Sequence, residues 1–241
     1  GPLPGSADDA RRHRGIGLGT YVESPRGSPN EEAVVTVRPE GLVEVEIGTL
    51  STGQGHETSY PQLLADWLGV ENDRVRINTG DTERHRFGAG SHSGRSIRLA
   101  SITMHAASQR IIEKGLRIAA HLLETAEADI AFVDGRFTIK GTDRAADLFA
   151  IAAAAEHDVT LPLELRGKLT GTGDVVSRIS SFPHGWHVAE VEVDPETGKV
   201  ELARYTAIDD VGRAVNPMII HGQTHGGIAQ GMGQALMEHC V

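Results

Sequence analysis

The chain has 241 residues, 39% of them hydrophobic, and a formal net charge of −10. That length holds one large or two modest domains with a proper core, and the acidity argues against nucleic-acid binding, which normally needs a basic face. No apolar run is long enough to span a membrane and residues 1–14 hold no apolar signal region, so a cytoplasmic setting without membrane contact is expected.

Residues 1–13 are polar, carry Pro2 and Pro4, and read as an irregular lead-in to one domain over 14–241. Gly15–Val22 reads as a strand. Its Gly-x-Gly-x-Gly spacing invites a dinucleotide reading, which fails because Glu23–Asn30 is a loop by composition where a helix would have to follow. Ala33–Arg38 and Leu42–Ile47 alternate as an antiparallel hairpin. After a Gly-rich loop, Glu57–Trp67 reads as a helix with Leu63, Leu64, Trp67 and Leu68 on one side, stopping at Gly69. Arg74–Thr79 is a short strand. A long helix is expected from Ser91 or Ser93 to about Glu124, with Ile97, Met104, Ile111 and Ile118 in one buried stripe. Ala131–Ile139 is a hairpin turning on Asp134-Gly135. Asp147–Glu156 is a short Ala-rich helix, and a strand is placed at Leu161–Leu169. Two alternating strands, Val188–Val193 and Val200–Ile208, turn at Asp194–Gly198, and the segment from Pro217 is helical despite five interior glycines. Hairpins interleaved with long helices make the class α+β, with mixed, largely antiparallel sheets.

Three stretches could carry chemistry. In Gly48-Thr-Leu-Ser-Thr-Gly-Gln-Gly-His-Glu-Thr58, Gly53 and Gly55 flank Gln54 and let backbone approach a polar ligand without an intervening Cβ. In Phe87-Gly-Ala-Gly-Ser-His-Ser-Gly-Arg-Ser96, small residues precede serines placed to cap the long helix, where free amides attract an anion. The third is Asn216 to Gly227. The bland readings are a plain loop, a capped helix and helix packing against small residues. His221 and His225 stand four apart, but Gly222 occupies the place a zinc protease needs for its glutamate. His184 and His187 lack a third ligand, so no metal is assigned to either pair. Glu57, Asp81, Asp209 and Asp210 show no pairing by spacing, and Cys240 shows no sign of activation.

Taken together, Gly53-Gln-Gly-His-Glu-Thr58, Asp81 with Phe87-Gly-Ala-Gly-Ser-His-Ser93, and Gly212-Arg-Ala-Val-Asn-Pro217 with Gly222-Gln-Thr-His-Gly-Gly-Ile-Ala-Gln-Gly231 resemble the xanthine dehydrogenase/aldehyde oxidase/carbon monoxide dehydrogenase family. The resemblance is to the second half of its molybdenum-binding subunit and runs from about Arg14 to Glu238. It implies the fold of the second molybdopterin-binding domain and a molybdopterin cofactor with molybdenum, in the cytosine dinucleotide form. The family gives the metal no side-chain ligand and grips the pterin instead. Carried over by motif, Gly53, Gln54 and Gly55 would bind the cofactor, Gln54 hydrogen-bonding near the metal's oxo or pterin end. Ala89 and Gly90 would face the substrate side, Ser91, His92 and Ser93 would meet phosphate, and Gln223 would bind the pterin.

The chemistry implied is oxidation of a small aldehyde or N-heterocycle with water as oxygen donor, electrons leaving through iron–sulfur and FAD-bearing partner subunits. Two features of the family are not found: the first half of the subunit, and the Val-Gly-Glu segment that carries its general base. The chain is therefore expected to be a fragment or split subunit, inactive alone, that pairs with the other half of the molybdenum subunit or self-associates as a homo-oligomer. A non-catalytic cofactor-binding or assembly module with the same fold is the alternative. A soluble phosphate-ligand protein would leave the order of the three motifs unexplained.

Overall fold

The computed structural model describes residues 12–85 and 88–239, so Phe87 and Cys240 lie outside the described residues. The elements in chain order are β1 (His13–Val22), β2 (Glu31–Arg38), β3 (Leu42–Ile47), α1 (His56–Leu68), β4 (Val75–Asn78) and α2 (Ser96–Leu122). They continue as β5 (Ile130–Val133), β6 (Arg136–Ile139), β7 (Ala145–Asp147), α3 (Leu148–His157), β8 (Leu169–Val175), β9 (His184–Val193), β10 (Val200–Asp210) and α4 (Pro217–Leu236). By internal contacts the chain divides into a central unit, Pro25–Ile179, and a terminal unit, Gly1–Ser24 with Ser180–Val241.

The central unit is built on a sheet of order β4-β3-β2-β8, with β2 antiparallel to both neighbours and β3 parallel to β4. Alternation in β2 and β3 puts Ala33, Val35, Val37, Val43, Val45 and Ile47 wholly out of water on one face. The two helices α1 and α2 close that core with Tyr60, Leu64, Leu68, Met104, Ile111 and Ile118. Helix α1 stops as its sequence indicates, because Gly69 takes the left-handed conformation (φ 63°) and its amide bonds back to the Ala65 carbonyl. A second, small sheet, β5-β6-β7, turns at Asp134 and Gly135, both at positive φ, as a tight Asp-Gly hairpin requires.

Three expectations need correction. Helix α2 begins at Ser96 after Arg95, so Ser91 and Ser93 do not cap it. Of the heptad stripe, Met104, Ile111 and Ile118 are fully buried but Ile97, the second residue of the helix, is 37% exposed, because in the first turn Leu99 and Ala100 face the core in its place. Leu161–Leu169 is not a strand: Pro162 opens a 3-10 turn over Leu163–Leu165, and pairing with β2 begins only at Leu169. The glycines of β8 explain the placement. A Cβ on Gly171 would come within 2.0 Å of the Ala107 carbonyl oxygen, and one on Gly173 within 2.0 Å of that of Thr103. Helix α2 thus rests on the strand backbone itself.

The terminal unit is a sheet of order β1-β9-β10, antiparallel throughout, with α4 in the same unit. The strands β9 and β10 are longer than expected, β9 starting at His184 and β10 ending at Asp210. Cross-strand pairing puts Ile16, Leu18, Val22, Trp186 and Ile208 on one face, and they are 50–76% exposed. Helix α4 buries none of its residues.

Candidate functional site

In the central unit the Gln54 loop leaves the end of β3 and feeds α1, while the segment 88–94 feeds α2. They meet: Ser91 Oγ donates to the Leu50 carbonyl at 2.5 Å, and a Cβ on Gly88 would stand 3.4 Å from the Gly48 carbonyl. The Gln54 side chain is half-buried and bonded within its own loop. Its Oε1 accepts from the Thr52 amide at 2.6 Å and its Nε2 donates to Thr52 Oγ1 at 2.9 Å. Gly53 and Gly90 are at positive φ (110° and 70°), and nothing lies within 4 Å of where their Cβ would be, so both border open space. Gly55 precedes α1 in the left-handed region, with no side chain capping the helix. The first-turn amides of α1 are therefore not claimed by a side-chain cap.

Around Ser91 the bonding differs from a cap. Ser93 Oγ accepts from the Arg26 amide at 3.4 Å, and the His92 ring lies against Gly27, where a Cβ would meet its Nε2 at 2.9 Å. Ala89 is half-buried and His92 and Ser93 are exposed. Asp81 serves its own turn, its Oδ1 accepting from the Glu83 amide at 3.0 Å.

His56, the fourth residue of the Gly-Gln-Gly-His-Glu run, is buried and stacks on Tyr60 with ring centroids 4.7 Å apart. Burial pushes its pKa below the ordinary imidazole value, against the opposing pull of the Thr49 carbonyl and the Glu57 charge. Burial, with the Glu31 charge, pushes the Tyr60 hydroxyl up. The sign of the His56 effect is fixed. The unfolded imidazole takes its proton near pH ~6.5, the folded one only at lower pH, so the unfolded state binds more protons as pH falls below ~6.5. This contribution to stability is complete above that pH and diminishes as pH falls from 7 towards 5. His56→Phe keeps the stack and removes the proton, so its urea midpoint is expected to fall less than the wild type's between pH 7.5 and 5.5. Equal slopes would refute the assignment.

The pair at the bottom of these loops went unseen in the sequence. Arg95 and Glu31 are both fully buried and ion-paired, Nη2 to Oε2 at 3.0 Å. No local pattern signals it, since the partners stand 64 residues apart.

The terminal unit holds a second unforeseen cluster. Asp209 Oδ1 accepts from Tyr21 Oη and from His187 Nε2, each at 2.9 Å, and His187 Nδ1 faces Tyr205 Oη at 2.8 Å. One tautomer satisfies all three bonds: Nε2–H donates to the carboxylate and Nδ1 accepts from Tyr205. Burial works against the Asp209 charge, but the His187 and Tyr21 bonds outweigh it and hold its carboxyl below the usual range. Burial and then the Asp209 bond push Tyr21 up to about 12. Period-2 alternation places Tyr21, His187, Tyr205 and Asp209 on one face, which is the signal that could have found them.

Helix α4 is capped by Asn216, whose Oδ1 accepts from the Ile219 amide at 3.1 Å. It carries Gln223, His221 and His225, all exposed. No atom lies within 4 Å of a Cβ placed on Gly222, Gly226, Gly227 or Gly231. The small faces of this helix are packed against nothing among the described residues.

With this geometry in hand, comparison with known proteins decides the family. Residues 4–241 match the molybdopterin cofactor-binding domain. The chain belongs to that family. It is 32% identical over 234 residues to the carbon monoxide dehydrogenase large chain of Hydrogenophaga pseudoflava, covering 92% of this chain and 29% of that protein. It is 33% identical over 227 residues to the 6-hydroxypseudooxynicotine dehydrogenase complex subunit gamma of Paenarthrobacter nicotinovorans, covering 94% of this chain and 29% of that one. The solved quinoline 2-oxidoreductase of Pseudomonas putida 86 superposes with a TM-score of 0.84 at 31% identity, covering 98% of this chain and 32% of its own. The molybdopterin cofactor-binding domain described here thus spans about 30% of the length of the relatives it matches. Its mixed α+β fold, with antiparallel sheets and long helices, is that of molybdenum hydroxylase large subunits.

Proposed function

We propose that the chain supplies part of the cradle for molybdopterin, in its cytosine dinucleotide form, within a cytoplasmic molybdenum hydroxylase that oxidises an aldehyde or N-heterocycle with water as oxygen donor. The observation that carries the reading is the meeting of the Gln54 loop and the 88–94 segment through Ser91 and Leu50, both bordering open space at glycines. That fits a planar, polar organic group gripped by amides and hydroxyls. In this reading Gln54 exchanges its bonds to Thr52 for bonds to the ligand, at little net enthalpy. Gly53 and Gly55 let backbone amides close on the ligand, and Ala89 and Gly90 leave room on its substrate side. Ser91, His92 and Ser93 offer donors to phosphate, and Gln223 binds the pterin. The bound group supplies a nucleophile formed from water at neutral pH and a sink for electrons.

The proposal includes partners. Relatives are named as a large chain and as a complex subunit. The exposed apolar face of β1, β9 and β10, and the unpacked glycines of α4, support a polypeptide partner that supplies the remaining length, with iron–sulfur and flavin subunits carrying electrons away. The chain alone is expected to carry almost no molybdenum and to turn over no substrate. A chain spanning 29% of the length of these relatives offers only part of a cradle, which would leave a polar ligand in water. A reaction without a positioned general base is slower by about 10²–10⁴-fold.

The test is molybdenum content by mass spectrometry, with dye reduction on a panel of aldehydes and N-heterocycles. It compares the chain alone with the chain co-produced with polypeptides supplying the rest of the relatives' length. Stoichiometric metal is expected only in the assembly, falling about tenfold in Gln54→Ala, the worth of one ligand hydrogen bond. Turnover by the isolated chain would overturn the incomplete-site reading. An assembly devoid of molybdenum would overturn the cofactor reading, and one loaded but inert on the panel would favour a non-catalytic module.

A further inference from the structure

Arg95 ends the segment that leads into α2, and Glu31 opens β2, so each sits at the end of a rigid element. Their polar atoms reach loops. Arg95 donates from Nε to the Ser28 carbonyl (3.0 Å), from Nη1 to the Gly90 carbonyl (2.7 Å) and from Nη2 to the Asn30 carbonyl (2.8 Å) and Glu31 Oε2 (3.0 Å). Glu31 Oε1 accepts from the Gly48 amide at 3.2 Å and Oε2 accepts from Thr49 Oγ1. One buried pair therefore holds the 28–30 loop, the start of the Gln54 loop and Gly90. Ser91 bonded to Leu50 forms a second clasp between the latter two.

We propose that Arg95 and Glu31 are positioning residues, which set the Gln54 loop and the Ala89–Ser93 segment at the spacing their ligand needs before it binds. The claim rests on the cofactor reading above, but the mechanical part stands on the hydrogen bonds alone. Stability is a poor reason for such a pair, because burying two charges costs about as much as their attraction returns, and apolar residues of similar volume often serve as well. What apolar residues cannot do is fix three loop carbonyls and a loop amide in direction. Guanidinium does so through its planar fork, and an ammonium cannot. Loops fixed in advance give up less entropy on binding, and that is where affinity is gained.

The experiment is hydrogen exchange by mass spectrometry on the 241-residue chain without cofactor, for wild type, Arg95→Lys and the double variant Glu31→Leu/Arg95→Met. Peptides covering 47–55 and 88–95 are expected to be slowed in the wild type, and to exchange about tenfold faster, together, in both variants. Peptides from the interior of α2, 104–118, are expected to stay unchanged. Wild-type peptides 88–95 exchanging as fast as an unstructured chain would overturn the proposal without any variant. So would full protection in the double variant, or a loss spread evenly through α2, which is plain destabilisation. In the co-produced assembly the same variants are expected to lower molybdenum content about tenfold at unchanged yield of folded protein, and unchanged content would overturn the functional half. If the wild-type assembly itself holds no molybdenum, the cofactor reading fails, while the exchange result still decides whether the pair positions the loops.

Discussion

Glu31→Ala is expected to destabilise the central unit by about 3–5 kcal/mol, because it leaves the Arg95 guanidinium buried without a countercharge. Both side chains are wholly shielded from solvent, so the guanidinium loses its countercharge in the protein interior. The Gly48 amide and the Thr49 hydroxyl lose their acceptor in the same step, which adds to the cost. Replacing both charges by apolar side chains, as in Glu31→Leu/Arg95→Met, is expected to cost much less than either single removal. Urea unfolding followed by Trp67 fluorescence, in a Trp186→Phe background so that only the central unit is read, makes the comparison. A wild-type midpoint for Glu31→Ala would show that Arg95 does not depend on this carboxylate.

Gly173→Val is expected to be of similar size, more than ~3 kcal/mol, at the upper end for overpacking because the obstacle is backbone. The first added carbon alone would meet the Thr103 carbonyl oxygen at 2.0 Å and the Ala106 Cβ at 2.9 Å. Helix α2 would have to lift from β8, opening contacts along a helix that holds Met104, Ile111 and Ile118 in the core. Gly167, at a positive φ of 88° with nothing within 4 Å of its Cβ position, is the control: its change to alanine affects backbone conformation and no packing. The same fluorescence titration applies. A Gly173→Val midpoint within the range of the Gly167→Ala variant would mean the helix does not rest on the strand.

Much of the chain was legible because its signals are local. Alternation in 33–38 and 42–47, the Gly69 stop and the Asp134-Gly135 turn each depend on a few neighbouring residues, and each appears where the sequence puts it, β2 starting two residues earlier at Glu31. The family could be read from short ordered motifs for a related reason. Loops with backbone at positive φ, as at Gly53 and Gly90, need glycine at fixed places, and such a pattern is visible in one dimension.

The misplaced elements are those whose ends are set by something distant. Two serines before a helical run look like caps, but the turn into α2 is held by Arg95, whose bonds reach Ser28, Asn30 and Glu31, so the helix starts after it. Leucine spacing at 161–169 looks like a strand, yet the partner strand β2 pairs only from Leu169 onward. The Tyr21, His187 and Asp209 bonds likewise join residues more than 20 apart, which strand alternation puts on one face only once the pairing of β1, β9 and β10 is known.

The sequence by itself determined the hairpins, the long helices, the glycine turns and stops and the membership of a molybdopterin-binding family, because periodicity, backbone conformation and short glycine-rich motifs act over a few residues. Only the tertiary structure decided which charges are buried, where α2 and β8 begin and which loops share a clasp. A charge leaves water only for a partner folded against it, and an element ends where its packing ends. Both depend on residues brought together from far along the chain.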